Sequence, residues 1–440
     1  MKGAWLGART FASLRHRNYR LYYGSHAVAF AGRWMQQIAA YWLVLELTGS
    51  AVAVGALAFV QLLPVTLFGL LAGSIVDRFD VRRTIVLAES VMAVFAALLA
   101  VLTLSGVVTV WMVYVVAGVQ GLALVVDNPA RHTLVFRIVG PADLPNAVAL
   151  SSGLGTMARV AGPALGGLVV AVAGAGVAFA INAVTYLAVI GAVLAMRESD
   201  FVAGVAAHAR VGMVSGVRDA FAFAFSSRRV AVAFVVVLVV STVSFNFDVL
   251  FPLLAAQTLD AGAGTFGLIA AVFGAGALCG ALALATIGKA RVRLVLLGAG
   301  GFGVLELVLA PQSSLLAVCV LLVPLGVVYV FWGSSALASL QLAAPAHLRG
   351  RAVSLYFFAF QGGAPLGGLL AGWLTTKGGT QLAFVVAGTV AVLAAGVGAA
   401  ALRWSGSATA RDYAADVGAA STTSATATTA RSISSSPMSR

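Results

Sequence analysis

Long apolar stretches, separated by short polar or glycine- and proline-bearing breaks, fill most of the chain. They cover 20–46, 52–76, 84–105, 109–128, 147–172, 177–196, 230–257, 265–287, 293–310, 314–340, 352–375 and 381–402. Each is close to the roughly 20 residues a helix needs to cross a hydrocarbon core of about 30 Å. Hydrocarbon offers no partner for bare backbone N–H and C=O groups, so each stretch is expected to be helical. The residue-by-residue alternation of a barrel strand is absent. The pattern predicts an all-α integral membrane protein with twelve transmembrane helices in two pseudo-symmetric six-helix bundles. The expected parts are an N-terminus (1–19), a first bundle (20–196), a linker (197–229), a second bundle (230–403) and a disordered tail (404–440). In the linker, Val214, Val217, Phe221 and Phe225 repeat at helical spacing and predict an amphipathic helix at the membrane surface.

Composition agrees. Of 440 residues, 61% are apolar and 9% charged, whereas a soluble domain carries about 25% charged residues. The net charge of +13 does not point to nucleic acid, because the basic residues lie between apolar stretches and form no single face. Taken alternately, the termini and every second loop hold all of the Lys and Arg residues except Lys377, on the opposite side, and Arg33 and Arg159, inside spans. Basic loops stay in the cytoplasm, so both termini are expected there, in a multi-pass plasma-membrane protein. The first apolar stretch lacks a cleavage site and reads as a retained helix.

Enzyme chemistry finds no support. Cys279 and Cys319 stand apart within apolar stretches, and the five histidines are scattered, so no metal site is expected. The G-x-G-x-x-G matches at Gly262 and Gly298 follow no strand pattern, and Gly288-Lys289 lacks the rest of a phosphate loop. No cofactor and no ATP-driven step are expected.

The halves echo each other. Pro141-Ala142-Asp143-Leu144 followed by Ala147-Val148-Ala149-Leu150 recurs as Pro345-Ala346-His347-Leu348 followed by Ala352-Val353-Ser354-Leu355. Downstream, Gly162-Pro163-Ala164-Leu165-Gly166-Gly167 is matched by Gly363-Ala364-Pro365-Leu366-Gly367-Gly368. Duplicated helical units are the mark of transporters that rock two halves about a midplane site.

Between the second and third stretches stands Gly73-Ser74-Ile75-Val76-Asp77-Arg78-Phe79-Asp80-Val81-Arg82-Arg83. It resembles the G-x-x-x-D-R-x-G-R-[KR] loop of the major facilitator superfamily, with Asp80 and Val81 where that pattern has Gly and Arg. With Asp127-Asn128-Pro129-Ala130-Arg131 and Trp42–Ser50, it is similar to the macrolide-efflux and siderophore-exporter-like branch of drug:proton antiporters. The resemblance implies a gating loop at Gly73, Asp77, Arg78 and Arg82. Physically, Asp77 would face the unsatisfied N–H groups at the start of the eleventh span and latch the inner side. Gly162, Pro163, Gly166 and Gly167 resemble the exporter motif of the fifth helix, where glycines permit close helix contact and proline frees a carbonyl. The family's helix-four R-x-x-Q-G pattern keeps Gln120 and Gly121 but has Ala117 at the arginine position.

Charge inside a membrane span is costly and marks function by default. Arg33 and Arg159 lie about 20 Å into their spans at 1.5 Å per residue. With Asp127, Asp248 and Glu306 they are the proton-coupling candidates, Asp248 foremost. Trp34, Gln36, Tyr41, Gln120, Asn246, Phe247, Phe357 and Gln361 are the substrate-cavity candidates, with Phe245 and Phe360 nearby. The expected function is proton-coupled export of small amphiphilic compounds such as a drug, antibiotic or siderophore-like metabolite. The partners are substrate, protons and the bilayer, and the unit is a monomer. The alternatives are an importer of a small polar metabolite or a transport-inactive membrane sensor.

Overall fold

The computed structural model describes residues 11–76, 79–202, 218, 221–287, 292–344 and 349–432, without the side chains of 70–76, 287, 349–351 and 404–432. Among the described residues the chain is helical and has no strand. Its helices are α1 (Arg17–Thr48), α2 (Ala51–Val76), α3 (Val81–Leu104), α4 (Val110–Leu194), α5 (Arg228–Val243) and α6 (Phe247–Leu253). α7 (Ala263–Ile287), α8 (Val292–Leu309), α9 (Leu315–Ala343), α10 (Arg349–Gln361) and α11 (Ala364–Ser432) complete the series. Eight stretches among the described residues are long and apolar enough to cross a membrane. Large apolar side chains point outward along them, Val172 being 80%, Leu316 74% and Leu297 72% exposed. Such a surface suits lipid and not water.

α4 spans 85 residues, which would reach about 130 Å if straight. It folds back because Gly140 (φ 69, ψ 178) and Gly174 (φ 82, ψ 167) leave helical geometry, at a φ that side chains with a Cβ disfavour. Gly379 (φ 69, ψ −177) breaks α11 in the same way. Two predicted spans are discontinuous. The stretch 230–257 is interrupted after Val243 and continues as α6 and a π turn over Leu254–Thr258. The stretch 352–375 is interrupted between Gln361 and Ala364. The two interruptions adjoin: Ser241 Oγ donates to the Ala359 carbonyl at 2.9 Å, and Gly363 packs on Thr242.

The fourth span, expected to end near 128, runs helically to Gly140. Its polar residues mimic a loop in sequence, but the fold buries Asp127 and Arg131 and pairs them with each other. Asp80, a departure from the family loop, caps α3 by accepting the Arg83 N–H at 2.9 Å, the ordinary task of an N-cap carboxylate. Of the expected gating loop, Asp77, Arg78 and the surroundings of Gly73 lie outside the described residues. So do most of the linker helix and the side chains of the tail. Arg82 is described: it pairs with Glu198 at 2.8 Å and donates to the Val193 carbonyl at 3.1 Å.

Two glycine approaches bring the first half of the chain against the second. A Cβ on Gly167 of α4 would lie 2.6 Å from the Gly267 Cα of α7. Gly55 of α2 lies against the Gly368 backbone of α11 in the same manner. Backbones this close leave no room for side chains.

Candidate functional site

In the first half, side chains from three helices meet around one guanidinium. Arg131 of α4 donates through Nε to Asp127 Oδ2 at 2.5 Å. Its other nitrogens donate to Glu89 of α3 and to a ring nitrogen of His26 of α1. Arg33 stands 3.8 Å from Asp127. Glu89 and Asp127 are fully buried, and His26 and Arg131 nearly so. Two cations thus face two carboxylates, which is how a bundle interior tolerates charge. One helical turn deeper, Gln36 donates to Gln120 at 2.5 Å and accepts from Asn182 at 2.5 Å. Gly32 makes the last contact possible, since a Cβ there would come 2.5 Å from Asn182 Oδ1.

Beside this network lies a cavity of about 170 Å³. Its polar lining includes Arg33, Gln37, Tyr41, Gln61, Gln120 and, from α6, Asp248. Asp248 is accessible to solvent although it sits deep in an apolar stretch. Gln37 lines the same cavity, and Arg159 is the cation that acts on Asp248. No ion pair within 4.0 Å holds it among the described residues.

A second cavity of about 160 Å³ lies between α4, α7, α9 and α10, lined by Thr156, Arg159, Tyr329, Ser334 and Tyr356 among others. Arg159 Nη1 donates to the Tyr329 hydroxyl at 3.1 Å, and its guanidinium lies 5.8 Å from the Trp34 ring centroid. Pro163, four residues on, removes the N–H that the Arg159 carbonyl would accept, and a Cβ on Gly274 of α7 would come 3.0 Å from that carbonyl oxygen. The other exporter-like glycines serve two partners: Gly162 and Gly166 seat α1 at Trp34 and Met35, and Gly167 faces α7.

The remaining candidates scatter. Phe247 is buried in an aromatic cluster, stacked on Phe251 at 4.6 Å and touching Phe273 and Phe302, and it lines neither cavity. Asn246, between α5 and α6, turns back onto the end of α5, donating to the Thr242 carbonyl at 2.8 Å. Phe357 is 47% exposed and packs against Tyr356. Gln361 ends α10 at the interruption before α11. Glu306 is fully buried, with no partner for either carboxylate oxygen among the described residues. Sequence reasoning missed Glu89, His26, Gln37, Tyr329 and Tyr356. Glu89 was findable, because an acid inside the stretch 84–105 carries the same signal as Asp127. The tyrosines carry no such signal until the fold brings them to Arg159.

The comparisons with known proteins agree with this architecture. The family described as transmembrane secretion effector matches residues 8–415. The staphyloferrin A transporter of Staphylococcus aureus is 25% identical over 70% of this chain and 77% of its own length. Macrolide efflux protein A of Streptococcus pyogenes is 22% identical over 86% of this chain and 95% of its own. The multidrug efflux pump Tap of Mycolicibacterium fortuitum is 27% identical over 81% and 89%. Among solved structures, the nucleoside transporter NupG aligns with a TM-score of 0.70 at 13% identity, covering 88% of this chain and 99% of that one. The POT family transporter PepTSo gives 0.71 at 15%, covering 88% and 98%. With its apolar helices, buried ion network and polar cavities, the chain is a multi-pass membrane transporter and not an enzyme, and it belongs to the transmembrane secretion effector family of the major facilitator superfamily.

Proposed function

We propose that the chain is a proton-coupled exporter of small amphiphilic compounds working by alternating access. The observation that carries this reading is Asp248: a carboxylate deep in an apolar stretch, open to a polar cavity and held by no ion pair among the described residues. A paired carboxylate is fixed in one state, whereas an accessible unpaired one can exchange a proton with the cavity. Arg33, Arg159, Tyr41 and Gln37 face it and set how readily it does so. Loss of its charge lets the site close without burying an unpaired ion. Asp127, Arg33, Arg159 and Glu306 remain coupling candidates in the same scheme.

In this reading the segments on either side of Gly140, Gly174 and Gly379 are separate passes, α5 with α6 makes one, and α10 with the start of α11 makes another. The chain then crosses the plasma membrane twelve times in two six-helix bundles, with both termini in the cytoplasm and one chain as the working unit. The glycine seams Gly55–Gly368 and Gly167–Gly267 fall at the outer ends of their helices and close the outer side. The latch at Asp77, Arg78 and Arg82 closes the inner side in the other half of the cycle. The efflux roles of the macrolide and multidrug relatives support export of amphiphilic compounds.

The test is transport by purified protein in sealed proteoliposomes, read with a panel of antibiotics, dyes and siderophores under an imposed pH gradient. Uptake into inside-out vesicles driven by an acid interior is expected, collapsing with nigericin and abolished by Asp248→Asn. Transport that ignores the gradient in both proteins sinks the coupling. Transport only in the opposite direction sinks export.

A further inference from the structure

The second cavity has an unbalanced lining. Arg159 is its one charged residue among the described residues, and around it stand the hydroxyls of Thr156, Tyr329, Ser334 and Tyr356. No carboxylate lies within 4.0 Å of the guanidinium among the described residues. One nitrogen donates to Tyr329 at 3.1 Å, and the side chain as a whole is accessible. The first half shows how differently this protein treats an arginine that only holds helices together: Arg131 is buried and every nitrogen of it has a partner.

The guanidinium is also held in place. Trp34 packs 5.8 Å from it, and Tyr329 is pinned by stacking on Phe245 with ring centroids 4.6 Å apart and planes within 7°. A planar fork with fixed orientation and a free edge matches the two oxygens of a carboxylate. Tyrosine, serine and threonine hydroxyls supply further donors. A volume of about 160 Å³ holds a head group of a few heavy atoms, the share of one liquid water being about 30 Å³. Ala277, Ala281 and Val330 give the same cavity an apolar wall.

We infer that Arg159, Tyr329, Tyr356, Thr156 and Ser334 form a subsite for the carboxylate of an amphiphilic anion, whose apolar part lies along Ala277, Ala281 and Val330. The subsite sits in the transport pathway proposed above and rests on that reading for its place in the cycle. It narrows the substrate class from amphiphiles in general to those with an acidic head.

The test is equilibrium binding by calorimetry to the full chain in detergent micelles, using three probes with one apolar body: 2-naphthylacetate, 2-naphthylacetamide and 2-naphthylethylammonium. The anion is expected to bind about tenfold tighter than the amide, the scale of one charge-assisted hydrogen bond. The cation is expected to bind weakest. Arg159→Gln should reduce the anion to the level of the amide, Arg159→Lys should restore part of the difference, and Tyr329→Phe should remove part of it. Thermal melting of each variant separates lost binding from lost folding, and the lysine variant keeps the test open if the glutamine variant unfolds. Equal binding of anion and amide, preference for the cation, no binding of the anion, or an anion preference that survives in Arg159→Gln each overturn the subsite. Binding in micelles needs no gradient, so this failure is distinct from that of the exporter reading, which is decided in vesicles.

Discussion

Glu89 and Glu306 are both fully buried carboxylates within long apolar helices, and their surroundings are opposite. Glu89, in the first half, accepts from Arg131, which ties α1, α3 and α4 together through His26 and Asp127. Glu306, in the second half, has no partner for either oxygen among the described residues. One turn earlier on the same helix, Phe302 packs against Phe247 at 5.6 Å and Trp332 at 6.1 Å. One half uses paired charge as its cement and the other uses apolar area. The same residue type is therefore expected to stabilise one half and destabilise the other.

The largest effect that tests this contrast is Glu89→Leu. It leaves Arg131 short of a partner in a closed interior, and the expected loss is about 3–5 kcal/mol, read by thermal or denaturant unfolding in micelles. A loss below about 1 kcal/mol would mean that the network is not structural. Gly267→Leu is next. Its new Cβ would come 2.6 Å from the Gly167 Cα, and overpacking costs about 1–3 kcal/mol. Efflux should fall at unchanged expression, because the two halves no longer meet there, and normal efflux would break the seam.

Glu306→Leu has the opposite sign. Replacing an unpartnered buried carboxyl by an apolar side chain of similar size is expected to raise stability by about 1–3 kcal/mol. A loss like that of Glu89→Leu would erase the difference between the halves. Asp248→Asn is the smallest in stability, within about 0.5 kcal/mol, since the side chain is accessible and outside any ion pair among the described residues. Its effect belongs to gradient-driven transport, and a melting shift as large as that of Glu89→Leu would reassign it to structure.

Much of the fold was readable because lipid imposes one rule on every span: long apolar stretches become helices. Breaks at Gly140 and Gly174 were readable from the gaps between stretches. The extension of the fourth span past Asp127 was not, because Asn128, Pro129 and Arg131 look like a loop until Glu89 and His26 arrive to pair with Arg131. The interruptions after Val243 and Gln361 carried local signals, Ser244 and Asn246 at one and Gly362, Gly363 and Pro365 at the other, but the long apolar stretches around them read as single continuous spans. Asp248 and Arg159 were marked by charge at depth alone. Phe247 was drawn to the cavity by its neighbour Asp248, yet successive side chains of a helix point in different directions, and it went into the aromatic core.

The sequence by itself determined that the chain is a helical membrane protein, which residues carry charge inside it, and where glycine and proline relax the helices. These follow from solvation and backbone sterics, which act locally. Only the tertiary structure decided which of those charges are partnered. Arg131 meets Glu89 and His26 across 42 and 105 residues of chain, and Arg159 meets Tyr329 across 170. Whether a buried charge is cement or a site depends on what stands within hydrogen-bond reach of it, and that distance is set by packing.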